Sequence, residues 1–334
     1  MTDAHKKKLL LLGGLRYLLP VIKAAHELGV YVITCDYIPD NIAHRYSDEY
    51  HNISILDREA VLRLAEGLNI DGIMSFAVDP GVTTAAFVAE RLKLPFQGSL
   101  ESVEILQDKS KFRSFLAANS FNVPVAGSYS SVEEAISDSG KFNWPVIVKP
   151  VDSAGSKGVT RIESVDQLAD AAKYALSESH CKRFIIEDFL QSDGPSSDSE
   201  CFVLDGKLIF CSFSDQLFDP VADNPYTPSA YIWPSSMPEN ARTELREELQ
   251  RLIALLDLRT GIFNVETRLC TNGKSYIMEM SPRGGGNRLA EMLELSTGQE
   301  IIKNSVNAAL GLEVRGISDP VYSETISEII LHSP

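Results

Sequence analysis

The chain has 334 residues, of which 44% are hydrophobic and 23% charged, a balance typical of a globular protein long enough for two or three packed units. Lys and Arg number 31 against 46 Asp and Glu, so the formal charge is −15. A surface this acidic repels phosphate backbones and argues against general nucleic-acid binding, although a local basic pocket can still hold one small anion.

The apolar runs and the cysteines indicate neither membrane insertion nor a zinc site. The longest apolar run near the start, residues 9–12, is far too short to span a bilayer, and Gly13 and Gly14 interrupt it. The five cysteines are scattered and form no CxxC pair. We therefore expect a cytoplasmic protein with reduced thiols, and neither membrane nor nucleic acid among its partners.

Strands alternate with helices over the first hundred residues. The predicted strands are 8–12, 30–36 and 72–76, with a short extended piece at 94–96, and the predicted helices are 20–28, 57–67 and 82–92. This alternation is typical of a parallel, doubly wound α/β sheet.

The pattern changes near residue 101. The elements predicted after it are a long helix at 102–119, strands at 145–150, 184–187, 201–203 and 208–213, and a helix at 240–258. The Pro-rich stretch 219–238 has little periodicity, and we expect a lid or binding loop there. Predicted strands 261–269 and 275–280 flank an Asn-Gly pair at 272–273, which indicates a hairpin.

A glycine pair closes the first predicted strand. Gly13 and Gly14 would let a ligand approach the carboxyl end of the sheet, and Asp36 ends the second strand, where a dinucleotide fold often holds a ribose hydroxyl. However, the spacing of the glycines is not GxGxxG. The glycine pair indicates either a ligand site or a tight strand-to-helix turn. If a ligand binds there, the spacing argues against NAD as that ligand.

A lysine followed by a glycine-rich loop indicates polyphosphate binding. Lys149 ends an apolar strand, and residues 153–158 read Ser-Ala-Gly-Ser-Lys-Gly. Exposed backbone N–H groups beside an ammonium group are a common way to hold phosphates, although the P-loop sequence is absent. The alternative is a surface hairpin whose lysines reach into solvent.

The apolar strand at 184–187 ends in Glu187, and Asp188 and then two apolar residues follow it. An adenine ring needs flat apolar walls and an acceptor for its amino group, and this sequence supplies both. Many edge strands also end in acidic residues, so an adenine site and a plain strand end both explain the pattern.

The strongest chemical signal is a pair of glutamates in the two strands of the predicted hairpin. Antiparallel pairing would bring Glu266 and Glu279 onto one apolar sheet face, where two carboxylates repel unless a cation joins them. Such oxygen ligands suit Mg²⁺, and Arg283 adds a cationic fork for phosphate or carboxylate. Glycines 284–286 would let the backbone approach a ligand closely. The alternative is a solvent-facing strand pair with exposed acids.

Together these residues resemble the ATP-grasp superfamily, and most closely the carbamoyl-phosphate synthetase large subunit, biotin carboxylase and related carboxylate–amine ligases. The ordered set that carries the resemblance is Lys109, Lys149, the glycine loop, residues 187–190, Glu200, Glu266, Glu279 and Arg283. The resemblance covers nearly the whole chain and implies an α/β fold. It implies a Rossmann-like pre-ATP-grasp domain at 1–103, an ATP-grasp α+β domain of two subdomains at 104–314, with a small lid subdomain at about 125–190, and a C-terminal extension at 315–334.

The resemblance implies roles for individual residues toward ATP. Lys109 and Lys149 would contact the phosphates, and Lys149 would also take part in catalysis. Glu187 would bind the adenine and Glu200 the ribose. The other implied ATP contacts are Ser153, Gly155, Ser156 and Gly158 in the loop, and Asp188, Phe189 and Leu190 beside the adenine.

The resemblance also implies a metal site. Glu266 and Glu279 would bind Mg²⁺, with Mn²⁺ as an alternative, and Arg283 would hold the transferred phosphate as a catalytic residue. The family usually has Asn two residues after the second Glu as a third ligand. Here that position is Ser281, a neutral hydroxyl of shorter reach, so Ser281 is the third candidate ligand and the number of metal ions stays open.

The activity implied by the resemblance is that of an ATP-dependent, ADP-forming ligase. It would activate a carboxylate as an acyl-phosphate and join it to an amine, both small molecules, with ATP and Mg²⁺. Relatives are often dimeric, so a homodimer is one candidate assembly by analogy, and the oligomeric state stays open. The alternatives are a catalytically silent ATP-binding sensor, a bicarbonate-activating enzyme and, based on Gly13 and Asp36, a dinucleotide-dependent oxidoreductase.

Overall fold

The computed structural model describes residues 6–153, 155–222 and 224–331. The elements of the first block are strands β1 (Lys8–Leu12), β2 (Tyr31–Cys35), β3 (Glu49–His51) and β4 (Gly72–Ser75), and helices α1 (Leu19–Glu27), α2 (Arg58–Leu68) and α3 (Asp79–Leu92). The strands form one parallel sheet in the order β3-β2-β1-β4. The predicted parallel sheet is confirmed, but residues 94–96 are irregular rather than extended.

The side-chain alternation of β1 explains why helices cover both faces of this sheet. Leu9 and Leu11 are fully buried among residues of α1, whereas Leu10 and Leu12 are fully buried among residues of α2 and α3. Successive side chains of a strand point to opposite faces, so a run of four leucines needs a helix layer on each side. Helix α3 begins beyond the carboxyl end of β4 with Asp79.

The connection to the second block contains two helices, α4 (Leu100–Gln107) and α5 (Lys109–Ala118). The prediction of one continuous helix is wrong because Asp108 adopts extended dihedral angles and its carboxylate accepts hydrogen bonds from two N–H groups of the following turn. Asp is a strong N-cap residue, so here it starts a new helix rather than continuing the previous one. The break places Lys109 at the first position of α5.

The second block is an antiparallel sheet covered on one face by two helices. Its elements are β5 (Ala126–Tyr129), β6 (Val146–Pro150), β7 (Thr160–Ile162), β8 (Phe184–Asp188), α6 (Val132–Ser137) and α7 (Leu168–Glu178), with the strands in the order β5-β8-β6-β7. Val146 and Val148 are buried against the helices. Ile147 and Lys149 lie on the opposite face, and Ile147 pairs with Glu187. The sheet therefore presents Lys149 and Glu187 on the same face.

The third block holds the predicted hairpin. Its elements are β9 (Ser197–Leu204), β10 (Lys207–Cys211), β11 (Asp215–Phe218), β12 (Pro228–Trp233), β13 (Gly261–Leu269), β14 (Ser275–Ser281), β15 (Ile326–Ile329), α8 (Glu239–Leu255), α9 (Leu289–Thr297) and α10 (Ile301–Ala309). One antiparallel sheet has the order β10-β9-β13-β14, and α8 covers one of its faces through Leu245, Leu249 and Leu252. The predicted hairpin of β13 and β14 is confirmed.

A three-stranded sheet in the order β11-β12-β15 changes the interpretation of the Pro-rich stretch. The prediction of an aperiodic loop across 219–238 is wrong at 228–233, because these residues pair with both β11 and β15. Tyr231 and Trp233 are each 1% exposed, so their burial favours a strand despite the prolines nearby. The described part of 219–227 is irregular.

Within the described residues, no helix has both the length and the apolar character needed to cross a membrane. The five cysteines are free thiols, and four of them are buried. The domain boundaries stay a prediction, although residue 103 falls inside α4.

Candidate active site

Two rows of polar side chains run across β9, β13 and β14 on the face away from α8. The antiparallel register places Asp198, Glu266 and Glu279 side by side in one row. The neighbouring row consists of Glu200, Asn264 and Ser281. The prediction that Glu266 and Glu279 share one sheet face is confirmed, because the two are direct cross-strand partners.

A cavity of about 300 Å³ lies between the first of these rows and the sheet of the second block. The predicted site residues that line it are Lys109, Lys149, Ser153, Gly155, Ser156, Glu187, Asp188, Phe189, Leu190, Glu266, Glu279 and Arg283. The predicted residues that the structure does not bring to the cavity are Gly158, Glu200 and Ser281. A cavity of this size, lined by charged and apolar groups, suits a small-molecule ligand.

Each glutamate of the Glu266–Glu279 pair holds a basic partner. Lys109 Nζ lies 3.6 Å from a carboxylate oxygen of Glu279, and a guanidinium nitrogen of Arg268 lies 3.3 Å from one of Glu266. Lys109 also donates to the carbonyl oxygen of Ser153 in the loop, at 3.1 Å. Arg268 lines the cavity, and sequence reasoning missed it. The feature that could have revealed it is its position two residues after Glu266 in the same predicted strand, which places both side chains on one face of the sheet.

Lys149 belongs to a buried group of three charges. Its Nζ lies 2.7 Å from Glu187 Oε2, while Glu187 Oε1 lies 2.8 Å from Nε of Arg113. Burial alone would raise the pKa of Glu187, but the charges of Arg113 and Lys149 lower it to about 2. Burial also lowers the pKa of Lys149, and Glu187 opposes that shift. Glu187 is therefore an ionised carboxylate engaged by two cations, and this position favours a role toward Lys149 over direct contact with adenine.

A carboxylate from the first block fixes Arg283. Its Nε and Nη2 each lie 2.8 Å from an oxygen of Asp79. Burial would lower the pKa of Arg283, but Asp79 outweighs it and the pKa is raised. Ser281 donates to Asp79 at 3.1 Å and accepts from Gln107 Nε2 at 2.7 Å. The Ser281 hydroxyl, in a residue that is 1% exposed, is thus engaged by Asp79 and Gln107 and does not line the cavity.

Packing explains two of the three glycines after Arg283. A Cβ on Gly284 would overlap the ring of Phe76, and a Cβ on Gly285 would lie 2.7 Å from a carboxylate oxygen of Glu200. The N–H of Gly285 donates to that oxygen at 2.6 Å. Burial raises the pKa of Glu200 to about 8. Close packing, rather than approach to a ligand, is therefore what requires glycine at 284 and 285.

Asp198 is a cavity residue that sequence reasoning missed. It stands in the row with Glu266, and its carboxylate accepts hydrogen bonds from Asn264 at 2.7 Å and from the Tyr231 hydroxyl at 3.0 Å. Burial, with a smaller contribution from the charge of Glu266, raises the pKa of Asp198 to about 6. The predicted strand began at 201, so Asp198 fell outside it, and the signal available was its period-two spacing from Glu200.

The glycine pair and Asp36 form a turn outside this cavity. Gly13 has a φ of +112°, and a Cβ on Gly14 would not fit. The Asp36 carboxylate accepts the N–H of Tyr37 at 2.7 Å and the amide of Asn41 at 2.5 Å. These contacts favour the tight-turn interpretation over a dinucleotide site.

A comparison with protein families agrees with this geometry. The family model of the ATP-grasp domain matches residues 142–291. The chain contains an ATP-grasp domain. The matched span holds Lys149, the Glu266–Glu279 pair and Arg283, while Lys109 and Asp79 lie before it. The predicted membership and the mixed α/β architecture are confirmed.

The relatives of this ATP-grasp chain include several enzymes. It is similar to the formate-dependent phosphoribosylglycinamide formyltransferase of Escherichia coli (strain K12 / DH10B), with 28% identity over 335 aligned residues, 97% of this chain and 80% of that protein. It is also similar to the arginine-specific carbamoyl phosphate synthase large chain of Lactiplantibacillus plantarum, with 26% identity over 246 residues, 72% of this chain and 23% of that protein. The biotin carboxylase domain of the 2-oxoglutarate carboxylase of Hydrogenobacter thermophilus shares the fold, with a TM-score of 0.76 at 18% identity, covering 97% of this chain and 74% of that one. The resemblance to carbamoyl-phosphate synthetase and biotin carboxylase is thus confirmed.

Proposed function

We propose that this protein is an ATP-dependent, ADP-forming ligase that activates a small carboxylic acid as an acyl-phosphate and joins it to an amine. The observation that carries the proposal is one shared cavity, in which the Glu266–Glu279 pair faces Lys109, Lys149 and Arg283. In such a site the two glutamates hold a metal ion on the triphosphate, while the basic side chains neutralise its phosphate oxygens directly. The name of the Escherichia coli relative, a formate-dependent formyltransferase, supports a small carboxylic acid as substrate.

We assign the adenine to the chain that leaves β8. The N–H groups of Asp188 and Phe189 already donate to carbonyl oxygens of neighbouring segments. Within the described residues the N–H of Leu190 makes no hydrogen bond. It is therefore free to donate to a ring nitrogen of adenine. Ile147 and Met278 add apolar walls to the same cavity.

We assign the ribose hydroxyls to Asp198 in place of Glu200. Asp198 lines the cavity, and its carboxylate oxygens accept hydrogen bonds from hydroxyl donors. Glu200 is 1% exposed and does not line the cavity. In this assignment Glu200 supports the backbone beside Arg283 and has no contact with the ribose.

The donor set of the glutamate pair fits Mg²⁺. Proteins commonly bind Mg²⁺ with one or two carboxylates together with phosphate oxygens and water. Glu266 and Glu279 supply two carboxylates from adjacent strands, and no group of three or more His, Cys, Asp or Glu side chains arranged for a metal occurs in the described part of the chain. The pair therefore suits a metal ion that arrives with a nucleotide. Mg²⁺, or Mn²⁺ in its place, would neutralise charge on the phosphates there.

Two loops would exclude water from the reaction. Ser156 donates to the carbonyl oxygen of Tyr226 at 2.9 Å, which joins the glycine loop to the irregular part of the Pro-rich stretch. Both residues line the cavity, as does Lys157. Closed loops of this kind protect reactive intermediates from hydrolysis.

The chemistry is two successive substitutions. A carboxylate oxygen of the acid attacks the γ-phosphorus of ATP, the bond from that phosphorus to the β–γ bridging oxygen breaks, and ADP leaves. The amine nitrogen then attacks the acyl carbon, phosphate leaves, and the amine loses a proton to give an amide. Lys149 and Arg283 stabilise the phosphoryl oxygens and hold the reactants in place, without forming covalent bonds.

The test is ADP formation from ATP and Mg²⁺ with pools of carboxylic acids and amines, followed by mass spectrometry of the product. We expect ADP formation to need one acid and one amine together, and Glu279→Ala to abolish it. The control is Glu313→Ala, which alters an exposed glutamate paired with Arg315 at the surface. ATP binding without turnover across the pools would favour the sensor, and incorporation of labelled bicarbonate would favour bicarbonate activation. Either result would contradict the proposal.

A further inference from the structure

Arg113 is a charged side chain buried behind the wall of the cavity. It lies one helix turn after Lys109 on α5, and its side chain is 4% exposed. It does not line the cavity, but its Nε lies 2.8 Å from Oε1 of Glu187, the residue whose Oε2 holds Lys149. Arg113 can therefore act on a ligand only through Glu187 and Lys149.

The contact of Arg113 depends on its charge and not on the shape of its guanidinium group. Although the distance to Glu187 is short, none of the three guanidinium nitrogens has a well-aligned hydrogen-bond partner among the described residues. An arginine that braces a structure typically forms two parallel hydrogen bonds to a carboxylate, as Arg283 does with Asp79. Burial of a guanidinium group whose N–H donors lack hydrogen-bond acceptors lowers the stability of the folded state. An electrostatic role is therefore favoured over a purely structural one.

The number of charges in this group decides what Lys149 can bind. Lys149 and Glu187 alone would form a neutral pair with little attraction left for an anion. With Arg113 the group holds two positive charges and one negative charge, so a net charge of +1 remains at the cavity wall. A charge in a poorly hydrated site acts more strongly on a phosphate than a charge at the surface does.

We infer that Arg113 is a positioning residue for polyphosphate, which satisfies Glu187 so that the charge of Lys149 is available to the phosphate oxygens of a nucleotide. The inference rests on the proposed function, because it requires Lys149 to face a nucleoside di- or triphosphate. It follows that Arg113 contributes to the affinity for the phosphates and not to the affinity for the base or the ribose.

The test compares the binding of ADP and of adenosine by titration calorimetry. We expect Arg113→Met to weaken ADP binding by about tenfold or more and adenosine binding by less than about twofold. Arg113→Lys keeps the charge, so its ADP affinity should stay within about threefold of the wild-type value. The matched control is Arg251→Met on α8, an arginine paired with Glu248 outside the cavity, which should bind both ligands as the wild type does.

A charge-compensating double variant separates electrostatics from structure. Arg113→Met combined with Glu187→Gln removes one positive and one negative charge, so Lys149 again provides a net charge of +1. We expect the double variant to regain ADP affinity relative to Arg113→Met alone. A structural role would instead make the second substitution neutral or harmful to ADP binding, and that result would overturn the inference.

The possible failures can be told apart. If the wild type binds neither ADP nor ATP, the proposed function is wrong and the inference falls with it. If the wild type binds ADP, the inference alone is overturned when Arg113→Met keeps its ADP affinity or loses ADP and adenosine affinity to the same degree. If circular dichroism shows that Arg113→Met does not fold, Arg113→Lys decides, since a large loss of ADP affinity with the charge retained contradicts the inference and a near wild-type affinity supports it.

Discussion

The Asp79–Arg283 pair allows a test of how the first block positions the chemistry of the ATP-grasp domain. Asp79→Asn keeps the side-chain size but leaves Arg283, whose side chain is 11% exposed, without its anion. Two charge-assisted hydrogen bonds of 2.8 Å are weakened. Removing one partner of a buried pair costs about 3–5 kcal/mol, and the 21% exposure of Asp79 with the remaining amide oxygen reduces this to about 3 kcal/mol. For a chain of this size, whose unfolding entropy is about 0.7 kcal/mol/K, that loss lowers Tm by about 4 °C.

The effect of Asp79→Asn on catalysis should be larger than its effect on stability. Arg283 would lose the carboxylate that fixes its orientation toward the transferred phosphate. A displacement of about 1 Å in a positioning group costs on the order of a hundredfold in rate, so we expect kcat for ADP formation to fall by about that factor. KM for ATP should change by less than about threefold, because the substitution alters neither the residues assigned to the adenine and the ribose nor the lysines assigned to the phosphates.

Scanning calorimetry and steady-state ADP formation together measure this prediction. The control is Asp257→Asn, which alters another Asp–Arg pair, with Arg259 at 3.0 Å, whose side chains are 82% and 65% exposed. Such a surface pair contributes less than about 1 kcal/mol, so Tm and kcat should barely change. If Asp79→Asn were no worse than this control in both measurements, the reasoning that Asp79 fixes Arg283 would be refuted.

The other predictions concern the metal pair, Lys149, a buried carboxyl group and a glycine. Glu279→Gln should raise the Mg²⁺ concentration needed for half-maximal ADP formation, because one of two carboxylates loses its charge, and an unchanged magnesium titration would remove Glu279 from the metal site. Lys149→Ala should weaken ATP binding in calorimetry by about tenfold or more, whereas wild-type affinity would exclude it from the phosphate contacts. The pKa of Glu200 is raised to about 8 from 4.5, so the folded state holds this proton more tightly than the unfolded state, and the stabilisation it provides is full below pH 4.5 and declines as the pH rises toward 8. Glu200→Gln should flatten this decline in urea unfolding between about pH 5 and about pH 8.5, and an identical slope would contradict the burial of the carboxyl group. Gly284→Ala should cost about 1–3 kcal/mol of unfolding free energy because of overlap with Phe76, while Gly286→Ala, which meets no neighbour within 4 Å, serves as its control.

The glutamate pair could be predicted because its geometry is local. An Asn-Gly turn sets the antiparallel pairing of the strands on either side, and strand alternation then decides which side chains share a face. Glu266 and Glu279 are direct partners in the register that results. Lys149 and the acidic pair Glu187 and Asp188 could be found for the same reason, since each lies at the end of an apolar strand.

The residues that the sequence did not reveal depend on contacts between distant segments. Asp79 meets Arg283 across 204 positions of the chain, and Arg113 on the connecting helix α5 meets Glu187 in the second block. No local periodicity encodes such a meeting, because it follows from how the blocks pack. Asp108 was misjudged for a different reason. An aspartate is tolerated on the exposed side of a helix and is also a strong N-cap, and only the extended backbone at that position decides between the two.

The basic groups of the cavity have one more consequence. In the described part of the chain, four of the five basic side chains that line it already hold a carboxylate, and these are Lys109, Lys149, Arg268 and Arg283. Because these carboxylates, rather than ions from solution, already balance the charges of the basic groups, few mobile counterions are released into solution when a nucleotide binds. Its affinity should therefore depend only weakly on ionic strength, and the empty cleft should retain inorganic anions poorly.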